Sequence, residues 1–329
     1  MGGLADTIRR GEPLPAPLAA LLGAASLAQR AGIWWRLRGP RVRVNARVIS
    51  FGNITAGGTG KTPAVIARAE RELAAGHRVA VLTRGHGAER VREPLVREPG
   101  GAGPNDARML GDEPALIARR LPGVWLVRAR DRVAGARAAM ERGCNVLLLD
   151  DGYQAVRLER DENILLIDAA NPFGNGRILP RGILREPPEA MARATEIMLT
   201  RCDQAAGLDD LLQTVRRYCP ATPLRMTRHA PQCLWHAASG IEHPAGYFSG
   251  EAVAALCAIG HPEAFFRTLE SLGMRLDKRL AYPDHGVIPA GAVPSGIPVI
   301  VTEKDAVRMA APPDNLYVLR VGLEDVSAE

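Results

Sequence analysis

The sequence is poor in aromatic residues, 4% of its 329 positions, and it lacks the marks of a membrane-spanning, disulfide-stapled or nucleic-acid-binding chain. No run reaches the roughly 20 apolar residues a spanning helix needs. The uncharged stretch 13–29 falls short, and Pro13, Pro15 and Pro17 interrupt its start. Five cysteines (Cys144, Cys202, Cys219, Cys233 and Cys257) are scattered, odd in number and free of any CxxC spacing. They read as reduced small hydrophobes of a cytosolic protein. The first residues lack the charged-then-apolar-then-small order of a cleavable signal. Zinc-ligand spacing, an aromatic RNA-binding signature and a long basic helix are all missing, so no nucleic acid is expected as a partner. No internal repeat, low-complexity tract or feature pointing to a protein partner stands out.

What is present is an ordinary globular composition, 47% hydrophobic and 24% charged, in a chain long enough for two compact domains. The net charge of +6 comes mostly from arginine. That balance suits a polyanionic nucleotide, a phosphorylated substrate or an anionic membrane surface, without choosing among them.

One stretch organises the rest. The apolar run Val48-Ile49-Ser50-Phe51 feeds the glycine-rich turn from Gly52 to Gly60, and then Lys61-Thr62-Pro63 opens a helix. Strand, glycine turn and helix start together form a phosphate cradle, in which backbone N–H groups and the helix N-terminus face an anion. On this reading Thr55, Ala56, Gly57, Gly58, Thr59, Gly60, Lys61 and Thr62 hold the nucleotide phosphates. Lys61 reaches the β- and γ-phosphates, and the Thr62 hydroxyl ligates Mg²⁺. Thr55 stands where the first glycine of GxxxxGK[ST] belongs.

From residue 47 onward short apolar runs alternate with helical segments, which predicts βα units and a mostly parallel sheet. Expected strands are Arg47–Phe51, Arg78–Thr83, Val124–Val127, Asn145–Leu149, Asn163–Ile167 and Glu196–Thr200, each ending in polar residues that converge on one crevice. Residues 88–111 read as a long irregular excursion, and 220–250, with Pro220, Pro223, Pro231 and Pro244, as a linker or β-ribbon. A second α/β unit follows, with strands Val253–Ile259, Val299–Thr302 and Leu316–Leu319 and a helix Pro262–Gly273. The expected fold class is therefore α/β, a P-loop NTPase-like sheet plus a smaller lobe. Its expected parts are a helix and basic segment (1–45), a kinase core (46–222), a linker (223–250) and a C-terminal lobe (251–329). In the first part Leu14, Leu18, Leu21, Leu22 and Ala25 recur at helical spacing, followed by Trp34, Trp35 and a run of arginines, as an interfacial membrane anchor would have.

The chemistry-bearing residues follow from the needs of the triphosphate. Asp150 and Asp151, after Val146–Leu149, fit the carboxylates that hold Mg²⁺ directly or through water. Asp112 precedes a helix and reads equally as its N-cap. His285 lies in a turn-rich loop, where a histidine is usually just exposed. Arg84, Arg132, Arg181 and Arg185 suit guanidinium–phosphate contacts or surface ion pairs.

The residues Asn53–Pro63, Thr83-Arg84-Gly85, Gly111-Asp112-Glu113-Pro114 and Asp150-Asp151-Gly152-Tyr153-Gln154 resemble motifs of the tetraacyldisaccharide 4′-kinase family. So do Pro172–Gly176, Leu179–Gly182, Leu184-Arg185-Glu186-Pro187, Pro283-Asp284-His285 and Thr302-Glu303-Lys304-Asp305, in the same order, from about residue 14 to 320. Thr55 is also that family's habit. The resemblance implies transfer of the ATP γ-phosphate to the 4′-hydroxyl of an acylated glucosamine disaccharide 1-phosphate. The product would be lipid IVA, made at the cytosolic face of the Gram-negative inner membrane. It further implies that Asp112 is the general base, tuned by His285, that Asp150 and Asp151 lie at the metal, and that Arg132, Arg185 and Glu186 lie near substrate and phosphates. Ala155, His86 and Thr195 depart from the family pattern. The same cradle and membrane element would also serve a P-loop ATPase switch.

Overall fold

The computed structural model describes residues 7–8, 12–101, 103, 105–260, 262–284, 286, 288–309 and 312–326. Its first long helix, α1 (Ala16–Leu37), leads into strand β1 (Arg47–Gly52) and helix α2 (Lys61–Ala74). Strands β2 (Val79–Thr83) and β3 (Leu95–Arg97), helices α3 (Asp106–Leu110) and α4 (Asp112–Arg120), strand β4 (Trp125–Arg128), helix α5 (Arg132–Glu141) and strands β5 (Val146–Leu149) and β6 (Glu162–Asp168) follow. After a short 3₁₀ segment at Pro188–Arg193 come β7 (Glu196–Thr200), α6 (Leu208–Tyr218), β8 (Leu224–His236) and β9 (Glu242–Pro244). The last part holds β10 (Ala252–Cys257), α7 (Pro262–Ser271), β11 (Arg275–Ala281), β12 (Val299–Thr302), α8 (Glu303–Ala306) and β13 (Leu316–Asp325).

Every expected strand is present, shifted at its ends by a residue or two, except that the last runs on to Asp325. The strands order as β11-β10-β12-β13-β8-β7-β6-β1-β5-β2-β4-β3 in one sheet, with β9 beside β8. β1 lies parallel between β5 and β6, so both its edges are paired, and its residues after Arg47 are buried. Alternate residues face opposite sides: Ile49 and Phe51 pack with Val65 and Ala69 of α2 and Ile117 of α4, whereas Val48 packs with Val133 and Ala136 of α5.

The stretch read as a linker contains β8, whose first residues pair parallel with β7 while the rest runs antiparallel to β13. This two-stranded seam joins the halves of the sheet. Pro231 did not break it, because the register shifts beside it, opposite Arg320 and Val321, where a missing N–H is tolerated. Excursion 88–111 is likewise not wholly irregular, since β3 caps the sheet edge antiparallel to β4. Strand β11 escaped the sequence reading because Arg275-Leu276-Asp277-Lys278-Arg279 carries charges on an exposed edge strand.

The 3₁₀ segment is tied to the sheet by fully buried Tyr153, whose hydroxyl donates to Ala190 O at 2.7 Å. Removing that donor deletes one buried hydrogen bond. Tyr153→Phe is expected to lower unfolding free energy by about 0.5–1.5 kcal/mol, seen as an earlier urea midpoint at unchanged slope.

Candidate active site

The phosphate loop leaves β1 at the C-terminal edge of the sheet and ends on Gly60, which takes φ +77° at the N-terminus of α2. It is pinned from the side by the segment 183–186: Ala56 N donates to Ile183 O at 2.6 Å and Arg185 N to Ile54 O at 2.6 Å. Lys61 Nζ lies 3.2 Å from Asn53 Oδ1 and 3.8 Å from Asp151 Oδ1, with only 14% of its side chain exposed. Burial lowers its pKa, opposed by the nearby Asp151 carboxylate. Thr62 is buried one position further on, with its hydroxyl at the start of the helix.

β5 delivers the paired carboxylates beside that lysine. Gly152 must be glycine, since a Cβ there would meet Leu149 Cβ at 2.5 Å and Ser50 Oγ at 2.6 Å, and Asp151 takes φ +53° to make the turn. Arg185 Nη1 reaches both Asp151 oxygens, at 2.7 and 2.8 Å. Burial pushes the Asp151 carboxyl up, but Lys61 and Arg185 outweigh it and hold the group below the usual range. Asp150 has no such clamp. Burial lifts it to about 6, with Lys61 pulling down and Asp151 and Glu113 pushing further up. Arg132, itself buried, holds the backbone here through Nη2 to Asp150 O at 2.9 Å, and burial followed by neighbouring Arg84 lowers it to about 10.

Glu186 is 2% exposed and lies behind the loop. Its Oε1 accepts from Gln154 Nε2 and from Arg193 Nη2, both at 2.9 Å, while Gln154 also donates to Asn53 O at 2.9 Å. The chain Glu186–Gln154–Asn53–Lys61 thus positions the lysine, and neither Gln154 nor Asn53 was singled out from sequence beyond its place in a run of motif residues.

Asp112 is the first residue of α4, with Gly111 before it in the cap position, so the N-cap reading fails. Its Oδ2 accepts from Arg308 Nη2 at 2.6 Å. Next to it Glu113 pairs with Lys304 at 2.6 Å, and Arg120, at the other end of α4, pairs with Glu303 at 3.0 Å. Residues 303–308 of the second lobe therefore clamp the helix that carries Asp112. Arg308 was missed in the sequence, although the Thr302–Asp305 motif three residues upstream is its signal. His285 lies outside the described residues.

Beside Arg132 and Gln154 opens a cavity of about 730 Å³ bounded by Trp35 and Arg38 on one side and Arg84, Arg130 and Arg157 on the other. Ala155, one of the departing positions, lines it, while Thr195 accepts from Asn163 N at 2.8 Å and His86 is exposed. Arg181 sits apart, against Gly23 of α1.

A phosphate loop at the sheet edge, a buried lysine, and adjacent carboxylates on the neighbouring strand define a P-loop enzyme of the phosphoryl-transfer class. Comparison with known proteins narrows that class. The family model described as tetraacyldisaccharide-1-P 4′-kinase (LpxK) matches residues 12–328, and the chain belongs to that family. A tetraacyldisaccharide 4′-kinase of Anaeromyxobacter dehalogenans is 42% identical, covering 94% of this chain and 89% of its own. One from Jannaschia is 41% identical over 90% of this chain and 85% of its own. The crystal structure of LpxK from Aquifex aeolicus in complex with ATP superposes with a TM-score of 0.76 at 27% identity, covering 94% of this chain and 95% of that one.

The raised Asp150 makes the folded chain bind more protons than the unfolded one between the ordinary value of 3.8 and about 6. Stability from this group therefore falls as pH rises through that window. In metal-free protein Asp150→Asn should gain on the parent over that window by about 3 kcal/mol, judged by urea unfolding at each pH. A pH-independent difference would refute it.

Proposed function

We propose that this chain phosphorylates the 4′-hydroxyl of a tetraacylated glucosamine disaccharide 1-phosphate with ATP, yielding the bisphosphorylated lipid IVA of lipid A biosynthesis. The observation that carries this reading is the convergence of Lys61, Asp151 and Arg185 at the mouth of the phosphate loop, in a chain of this kinase family.

Phosphoryl transfer passes through a loose, highly charged transition state, so the residues act mainly by position and charge. Backbone N–H groups of 57–62 and the N-terminus of α2 face the phosphates, and Lys61 sets its charge beside the group being transferred. Thr62, Asp150 and Asp151 offer hard oxygen donors, and Asp150, buried without an ion-pair partner of its own among the described residues, is the carboxylate a cation would complete. These residues fit Mg²⁺, which when bound neutralises charge on the phosphate oxygens. Arg185 leaves Asp151 ionised and can swing toward the incoming phosphate, since it is only partly buried.

The acceptor sugar fits the cavity lined by Arg84, Arg132 and Gln154, whose polar edges suit hydroxyls and a phosphate. Asp112 receives the hydroxyl proton as general base, its carboxylate held by Arg308.

The acyl chains belong beside α1. This helix docks through Ser26, whose hydroxyl donates to Ile178 O at 2.8 Å, and leaves Leu21, Leu27, Trp34 and Trp35 outward, Trp35 at 75% exposure. Among the described residues no helix is long and apolar enough to cross a membrane. Exposed tryptophans followed by Arg36, Arg38, Arg41 and Arg43 instead suit the surface of an anionic leaflet, which supports a peripheral enzyme on the cytosolic face of the inner membrane.

Three experiments test this reading. Mass spectrometry of the disaccharide monophosphate after incubation with ATP should show one added phosphate on the non-reducing sugar. Asp112→Ala should slow that turnover by about 10²–10⁴-fold, and phosphate release without any lipid acceptor would point to an ATPase switch instead. Replacing both Trp34 and Trp35 with alanine should weaken binding to anionic vesicles by about tenfold or more in a sedimentation assay; unchanged binding would remove α1 from the membrane.

A further inference from the structure

The run Thr302-Glu303-Lys304-Asp305 closes β12 and opens α8, and its last residue has no task in the transfer described above. Glu303 and Lys304 reach α4, whereas Asp305 is fully buried in the second lobe. Its Oδ2 accepts from the Thr302 hydroxyl at 2.6 Å, and its Oδ1 accepts from Ala258 N, just past β10, at 3.2 Å. Both oxygens accept, as those of an ionised carboxylate do. Thr302 Oγ1 in turn accepts from Asp305 N at 3.3 Å, so the two side chains cap the start of α8 reciprocally. A third neighbour is charged. Arg308 Nη1 stands 3.6 Å from Asp305 Oδ1, while Nη2 of the same guanidinium donates to Asp112 Oδ2 at 2.6 Å.

A helix cap needs an oxygen acceptor and no charge. Asparagine would supply that oxygen without the cost of burying an ion. Burial raises the Asp305 carboxyl above the usual range, against the pull of the Thr302 hydroxyl and of Arg308. Among the described residues Arg308 is the one ion-pair partner of this carboxylate, so the guanidinium is what the charge at 305 serves. Arg308 in turn needs an anchor. It follows the four-residue helix α8 on a long side chain, and α4 presents it with adjacent carboxylates at Asp112 and Glu113. A carboxylate tied to both β10 and β12 draws one edge of the guanidinium, which leaves the other edge aimed at Asp112.

We infer that Asp305 is a positioning residue for the transfer: it anchors the Arg308 guanidinium, and Arg308 orients the Asp112 carboxylate. This rests on the reading of Asp112 as general base. Asp305 belongs to the second lobe and the phosphate loop to the first half of the sheet, so its loss acts on the rate of transfer and not on the hold on ATP.

The test is a mutant cycle in which kcat and KM are read separately, on full-length protein with Mg-ATP and the disaccharide monophosphate in detergent micelles. Asp305→Asn keeps the shape and the cap and removes the charge. It should lower kcat by about tenfold and leave KM for ATP within about twofold. Made in Arg308→Gln protein, the same substitution should cost less than about twofold, because the guanidinium through which it acts is gone. Damage to the packing of the lobe would instead cost as much in either background. Arg308→Lys, which keeps the charge and loses the fork, should recover part of what Arg308→Gln loses. Where circular dichroism shows Asp305→Asn unfolded, Thr302→Val takes its place: it frees Oδ2 from a half-buried position, and the same pattern is expected, a loss of kcat in the parent and none in Arg308→Gln. An undiminished kcat, equal losses in the two backgrounds, or a loss confined to KM overturns the inference while the base reading stands. If Asp112→Ala turns over like the parent, the base reading falls and this inference with it.

Discussion

Lys61 sits where water scarcely reaches, and the polar groups around the phosphate loop are disposed about it. An ammonium 14% exposed must be satisfied locally, here by the Asn53 amide oxygen and the Asp151 carboxylate. That requirement runs outward through the structure. Asn53 is anchored by Gln154, Gln154 by Glu186 and Glu186 by Arg193, whose guanidinium in turn lies 4.7 Å from the centre of the Tyr153 ring. Glu186 therefore acts on the lysine at a distance, by fixing its neighbour. The same logic accounts for two adjacent aspartates of opposite character. Asp151 is paired with two cations and held below the usual range, whereas Asp150 has no such ion pair among the described residues and burial lifts it to about 6.

The sheet itself was readable because buried parallel strands leave a strong signature. Val146–Leu149 is a continuous apolar run and Val48–Phe51 is broken only by Ser50, a pattern that suits strands covered on both faces and ending at a glycine turn or an aspartate pair. The phosphate loop was equally legible, since its chemistry sits within ten consecutive residues. What sequence concealed depends on long-range closure. Pro231 argued against a strand, yet β8 absorbs it at a shift of register that only its pairing with β13 makes possible. Arg275–Ala281 has too many charges to read as a strand until β10 is seen to supply its one partner.

The site was legible unevenly for the same reason. Lys61, Asp150, Asp151 and Arg185 converge as their motif positions imply. Asn53 and Gln154 were quoted within motifs but given no task, because an amide that orients another group has no local signature. Arg308 and His229 are harder still: each gains meaning only from a residue on a different element, Asp112 in one case and Gly60 in the other.

These last two contacts explain why the second half of the sheet matters to chemistry performed in the first. β8 and β13 form the only antiparallel seam between strand sets that are otherwise parallel within the described residues, apart from the edge strands β3 and β9. A two-stranded ribbon twists more readily than a sheet braced on both sides by parallel neighbours. On either flank of that seam a side chain reaches a reacting element: His229, on β8, abuts the phosphate loop, and Arg308, just past α8, holds the Asp112 carboxylate. The guanidinium takes up one oxygen of the Asp112 carboxylate and so fixes how that group is turned. Glu303, Lys304 and Arg308 grip α4 at three points, so the segment after β12 and the helix that carries Asp112 are held to each other. The Asp112 carboxylate is thus oriented from the C-terminal half of the sheet while the phosphate loop is carried by the other half, so their relative placement is a property of the whole sheet.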